Sequence, residues 1–208
     1  MLSKLAELPK KIFLSSMLAG VFVVTVGSFL GSFFSYLLQV FLGRKLSLED
    51  YGTFNTLLSF STILGVLAGA FSNSVVKKVS ALKAEHKFDT LTHLFWNLSF
   101  YCLLLGVLLS LFLIALRGVF SGFLHISDWG ILVSFAFLMG LTFVGSLPRA
   151  YLQGLLRFKA LAFWIVFASL VIFVFSLVAV YGGLGLSGVF GGMSLGTIIS
   201  FILAIFLL

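Results

Sequence analysis

The chain offers little with which to do covalent chemistry. Its carboxylates are Glu7, Glu49, Asp50, Glu85, Asp89 and Asp128, its histidines are His86, His93 and His125, and its one thiol is Cys102. Acid–base or nucleophilic catalysis needs such groups within hydrogen-bond reach of one another. The best grouping is one short stretch that holds His125 and Asp128, with Arg117 upstream. Three residues of common type are also what a solvated loop carries, so catalysis is disfavoured. Neither the histidines nor the cysteine fall at metal-ligand spacings, and a lone cysteine forms no disulfide within the chain. The expectation is no enzyme, no metal and no cofactor.

A second set of side chains suits binding rather than catalysis. "SLPRAYLQGLLRFKA" (Ser146 to Ala160) places Arg149 at the end of an apolar run, ahead of Arg157 and Lys159. A guanidinium facing a cavity there would suit bidentate contact with a phosphate. The competing reading is a basic anchor at the membrane edge. Gln39, Asn73 and Asn97 are amides inside apolar runs, where bonding a neighbouring helix is the commoner use. Arg44 belongs to "GRKLSLEDYG" (Gly43 to Gly52), in which two cations face two carboxylates and cancel.

The elements that position these residues follow from composition. The chain has 208 residues, 61% hydrophobic and only 9% charged. A soluble domain carries about 25% charged residues to solvate its surface, so most of this surface must face lipid. The charges bunch and leave uncharged runs of 32, 26, 27, 20 and 49 residues. About 20 apolar residues cross the hydrocarbon core as a helix. The first four runs each fit one crossing, and the last divides at "YGGLGLSG" (Tyr181 to Gly188) into two. The fold class is therefore an all-α membrane protein with six transmembrane helices, at about 12–42, 51–74, 94–116, 129–152, 160–181 and 186–208. Barrel strands alternate over about ten residues, and nothing here alternates.

A net charge of +7 raises the question of nucleic acid. With a cytoplasmic N-terminus, 10 of the 13 basic residues fall in inside segments, and only Arg44, Lys45 and Arg117 fall outside. The positive-inside rule absorbs the basicity, and no nucleic-acid partner is expected. Trp96, Trp129 and Trp164 stand near span starts, as an interfacial aromatic belt would. "MLSKLAELPKKIF" reads as an amphipathic lead-in broken at Pro9. "VVKKVSALKAEHKFDTLTHLF" reads as an extension of span two beyond the bilayer. Small residues recur every four positions at Gly27, Gly31 and Ser35, at Ser61, Gly65 and Gly69, and at Gly188, Gly192, Gly196 and Ser200. Such faces let helices pack closely or slide, and the spacing does not distinguish the two.

Two stretches carry a resemblance. The first holds Arg44, Leu46, Glu49, Tyr51 and Gly52; the second holds Arg149, Gln153, Gly154 and Arg157, followed by Gly183, Gly185 and Gly188. In order and spacing they resemble the polysaccharide biosynthesis flippases, which include the O-antigen transporters of the multidrug/oligosaccharidyl-lipid/polysaccharide exporter superfamily. The resemblance runs from about residue 15 to the end. It implies one lobe of a two-lobe exporter fold in the cytoplasmic (inner) membrane. Its substrate would be an undecaprenyl-pyrophosphate-linked oligosaccharide, moved from the inner to the outer leaflet as the lobes rock. No basic residue follows "FILAIFLL", so the chain reads as the N-terminal lobe of a longer protein, or as half of a homodimer. Murein-precursor flippases carry arginines in their first spans, whereas span one here has none. Cationic contact would come from Arg149, Arg44 or the second lobe. The alternatives are a multidrug exporter of the same superfamily, or a membrane-embedded glycan polymerase or phosphatase using Arg117, His125 and Asp128.

Overall fold

The computed structural model describes residues 2–116, 118, 120, 122 and 128–208, leaving aside the side chains of residues 2–17. The described residues form six long helices and no strand: α1 (Leu2–Lys45), α2 (Leu48–Ala84), α3 (Phe88–Ala115), α4 (Trp129–Gly154), α5 (Phe158–Tyr181) and α6 (Gly185–Leu207). All six are long and apolar enough to cross a membrane, α1 through its Leu18–Lys45 portion. The sequence sets a break at Pro9, whereas α1 runs from Leu2 without one; the lead-in's amphipathic side chains lie outside the described ones. Helix α2 continues past the expected span to Ala84 and carries Lys77, Lys78 and Lys83 on its extension.

Short, capped turns join α1 to α2, α2 to α3, α4 to α5 and α5 to α6. Arg44 and Lys45 occupy the last turn of α1, and Glu49 and Asp50 the first turn of α2. Each pair complements the dipole of its own helix. Ser47 caps α2, its Oγ accepting from the Asp50 N–H at 3.1 Å and donating to Asp50 Oδ2 at 2.9 Å. The neutral charge cluster of "GRKLSLEDYG" is thus a pair of helix ends. Three other turns share one bonding pattern. After α2, Lys87 N–H bonds Leu82 O and His86 N–H bonds Lys83 O; after α4, Arg157 bonds Leu152 and Leu156 bonds Gln153; after α5, Leu184 bonds Ala179 and Gly183 bonds Val180. This is the Schellman cap, which needs a left-handed residue. Gly183 takes φ +73° at no steric cost, but His86 and Leu156 hold φ 55°.

Packing divides the six helices into a closed body and an open side. Helices α5 and α6 are antiparallel and α3 and α4 likewise, with α4 and α6 running in parallel as a central seam. Without a hydrophobic drive between helices in lipid, such seams depend on close backbone approach. At the α3–α4 crossing, Gly106 faces Gly140, and Ser110 Oγ reaches Ala136 O at 2.9 Å. Helix α1 lies parallel to α5, touching it from Gly27 on Ala162 to Phe41 on Tyr181. Helix α2 lies against α4, and Ser80 Oγ donates to Gly154 O at 3.1 Å. The Lys83 ammonium donates to Leu155 O, closing the C-terminal end of α4 with a positive charge.

Helices α1 and α2 meet only at the end they share, where Leu38 and Leu42 pack with Phe54, Leu57 and Phe190. From there they diverge, α1 following α5 and α2 following α4. The opposite end carries a second core of Val75, Val79, Phe95, Leu147 and Tyr151. The outward faces are apolar and exposed, as at Phe22, Phe29, Phe100, Leu104 and Val178, which suits a lipid surround.

Candidate functional site

The divergence of α1 from α2 leaves a cleft with two lobes. The larger has a volume of about 670 Å³ and lies among α2, α4, α5 and α6. Gly65, Gly69, Ser72 and Asn73 line it from α2, and Thr142, Ser146, Arg149 and Gln153 from α4. The smaller, about 400 Å³, lies against α1 and α5 and is lined by Ser28, Ser32, Ser35, Gln39, Ser169 and Arg149, among others. Both fall within the range of small-ligand sites.

Each wall is one helical face. On α4, Thr142, Ser146, Arg149 and Gln153 follow one another at four, three and four residues, the spacing that keeps side chains in register along a helix. On α1, Ser28, Ser32, Ser35 and Gln39 repeat that spacing. On α2, Gly65, Gly69 and Asn73 do so at intervals of four, and Lys77 stands one turn beyond. A Cβ added at Gly65 or Gly69 would meet nothing within 4 Å, so the α2 face opens onto empty space rather than onto a helix.

Arg149 is the junction, because it lines both lobes. Its neighbours Leu147, Pro148 and Ala150 are buried while Arg149 itself is exposed to the cleft. Pro148 lies inside α4 and has no N–H for the Val144 carbonyl, which loosens the helix just before the arginine. Among the described residues Arg149 has no hydrogen-bond or ion-pair partner, and no other charged residue lines either lobe. A guanidinium so placed holds its donors free for an anion.

The structure brings together Arg149, Asn73 and Gln39 of the residues singled out in the sequence, although Asn73 and Gln39 stand in different lobes. Arg44 is not with them; it is exposed in the last turn of α1, at the closed end. Asn97 is exposed on α3 and lines neither lobe. Of the residues weighed for catalysis, Asp128 caps α4 by accepting from the Gly130 N–H at 2.8 Å, and Arg117 and His125 lie outside the described residues. Among the described residues no three of His, Cys, Asp and Glu come together as metal ligands would.

Sequence reasoning missed Trp164. It is expected at the lipid interface with Trp96 and Trp129, and those two are exposed. Trp164 is instead buried, lines the larger lobe and donates from Nε1 to Ser200 O at 2.8 Å. The available signal is Ser200, which ends the glycine ladder of α6 and so faces α5. Arg157 likewise does more than anchor, donating from one guanidinium nitrogen to Leu207 O at 2.9 Å and Leu208 O at 3.1 Å. At the α2–α3 turn Lys87 meets Glu85 at 2.7 Å, and its hydrogen bond and charge hold that carboxyl below its ordinary pKa.

An all-helical body with an apolar exterior and a polar cleft defines a multi-pass membrane protein. The family model of polysaccharide biosynthesis proteins matches residues 17–208, and the chain belongs to that family. No curated protein and no solved structure matches it.

Proposed function

We propose that the chain is a lobe of a flippase that carries a lipid-linked oligosaccharide from the inner to the outer leaflet. The observation that carries this reading is the unpartnered Arg149 at the junction of two polar lobes, inside a body whose exterior suits lipid. A glycan headgroup cannot cross about 30 Å of hydrocarbon unaided, since each bare polar group costs several kilocalories. A cleft lined by hydroxyls and amides replaces the lost water, and Arg149 answers the phosphates that join glycan to lipid. Transport needs no covalent step, and the polar residues serve as ligands rather than as catalysts.

The cytoplasmic end is the one bearing Lys77, Lys78, Lys83, Lys87, Arg157 and Lys159, by the positive-inside rule. The α2–α3 and α4–α5 turns lie together there, joined through Ser80 and Lys83. That orientation leaves the N-terminus cytoplasmic in the inner membrane, with the cleft closed at its outer end by Leu42, Phe54 and Leu57. A second six-helix lobe, or a second copy, completes the wall that α1 and α2 leave open.

The test is export of lipid-linked glycan in cells that depend on this gene. Losing a charge-assisted contact with phosphate should lower export at least about tenfold in Arg149→Ala. Arg149→Lys keeps the charge but not the fork, and recovers part of the loss. Unchanged export in Arg149→Ala, at normal protein level, overturns the assignment.

A further inference from the structure

We infer that the α1 lobe of the cleft is the seat of an uncharged sugar ring, the one next to the phosphates. This rests on the flippase reading and names what that site selects. Hydroxyls elsewhere in these helices are mostly spent on their own backbone. Ser59, Ser61, Thr142, Ser194, Thr197 and Ser200 each donate to the carbonyl one turn back, at 2.6–3.0 Å. On the α1 lobe, Ser35 does the same at 3.2 Å, but Ser28, Ser32 and Ser169 bond nothing among the described residues, and the Gln39 amide is equally free.

Unspent groups of this kind, donor and acceptor on each, match the hydroxyls of a pyranose. They spread over the twelve residues from Ser28 to Gln39, about 16 Å of helix, and face Ser169 of α5 and Arg149 across the lobe. Tyr36, exposed at the rim, adds an aromatic face with a hydroxyl at its tip. Charge sets the class of ring. Arg149 is the one charged residue lining either lobe, and the phosphates claim it. Among the residues lining this lobe, a uronic acid's carboxylate would find no cation but the one that the phosphates claim. The lobe therefore favours neutral hexoses over uronates.

The experiment uses the full-length protein in lipid nanodiscs, with Trp164, buried in the larger lobe, as fluorescent reporter. Three probes are titrated: polyprenyl diphosphate alone, its glucosyl form and its glucuronosyl form. The wild type should bind the glucosyl probe about tenfold more tightly than the sugar-free probe, the worth of one or two net hydrogen bonds. It should bind the glucuronosyl probe no better than the sugar-free one. In Ser32→Ala/Gln39→Ala the glucosyl preference should shrink to within about twofold. Both side chains lie off the Gly27–Gly31 face that packs on α5, and an unchanged melting temperature verifies the fold.

Equal binding of the glucosyl and sugar-free probes by the wild type overturns the sugar seat and leaves the flippase reading standing. So does a preference that survives the double substitution, or tighter binding of the glucuronosyl probe. Failure of the wild type to bind any of the three overturns both.

Discussion

Helices α6 and α2 carry the same signature and use it in opposite ways. Gly188, Gly192, Gly196 and Ser200 recur every four residues on α6, as Ser61, Gly65, Gly69 and Asn73 do on α2. On α6 the glycines are contacts. A Cβ at Gly192 would lie 2.7 Å from Phe175 O, and one at Gly196 would lie 2.8 Å from Ile172 Cα. On α2 the same additions at Gly65 and Gly69 meet nothing within 4 Å. Small-residue spacing therefore specifies a face and not its use: one face lets two backbones touch, the other keeps a cleft wide.

The largest expected effect tests the packed face. Gly192→Val drives a branched side chain into the backbone of α5, which cannot yield as a flexible side-chain tip can. We expect a loss of about 3 kcal/mol and poor accumulation in membranes, read as melting temperature and yield in mild detergent. A variant that accumulates and melts like wild type would show that α5 and α6 are not seamed at Gly192.

The open face should respond in the other currency. Gly69→Ala should stabilise by up to about 1 kcal/mol, because alanine loses less backbone entropy in a helix and nothing obstructs its methyl. Gly69→Leu should fold within about 0.5 kcal/mol of wild type yet cut export severely by filling the larger lobe. The comparison fails if Gly69→Leu destabilises as Gly192→Val does, or if it exports normally.

How much of this was legible beforehand follows the same division. The six spans could be read because charge is excluded from hydrocarbon, so the gaps between charges mark the crossings. Gln39 and Asn73 could be named because amides are rare inside apolar runs, and Arg149 because it ends such a run ahead of Arg157 and Lys159. What the sequence lacks is the azimuth of each helix. Asn97 is as polar as Asn73, but its helix turns it outward on α3, while Asn73 follows Gly65 and Gly69 around to the cleft. Arg44 is set apart by its position in the last turn of α1, away from both lobes. Trp164 looks interfacial by position along the chain, and only the α5–α6 pairing shows that it points inward to Ser200.

Two lysines on α2 give a smaller contrast between the packed and open sides. Lys83 is half-buried and donates to Leu155 O at the end of α4, whereas Lys77 is exposed one turn beyond Asn73 and lines neither lobe. Lys83→Met leaves that carbonyl unmet and removes a cation from a helix C-terminus, for an expected loss of about 1–2 kcal/mol. Lys77→Met should change stability by less than about 0.5 kcal/mol. Equal melting temperatures for the two variants would mean that Lys83 anchors nothing in the membrane.

The smallest effect concerns Glu85, at the turn that leads from α2 into α3. Lys87 hydrogen-bonds its carboxylate and adds its charge, so the folded pKa lies below the ordinary 4.5. A carboxyl with a depressed folded pKa adds stability that is fully present above the unfolded value and is lost as pH falls through the folded one. Both side chains are more than half exposed, at 55% and 59%, so solvent screens the pair and the effect is slight. Glu85→Gln should therefore melt slightly below wild type at neutral pH, and the gap should close on acidification below the carboxyl range. A gap that persists unchanged in acid would assign the difference to the backbone of the turn, where His86 already holds its left-handed φ, rather than to the ion pair.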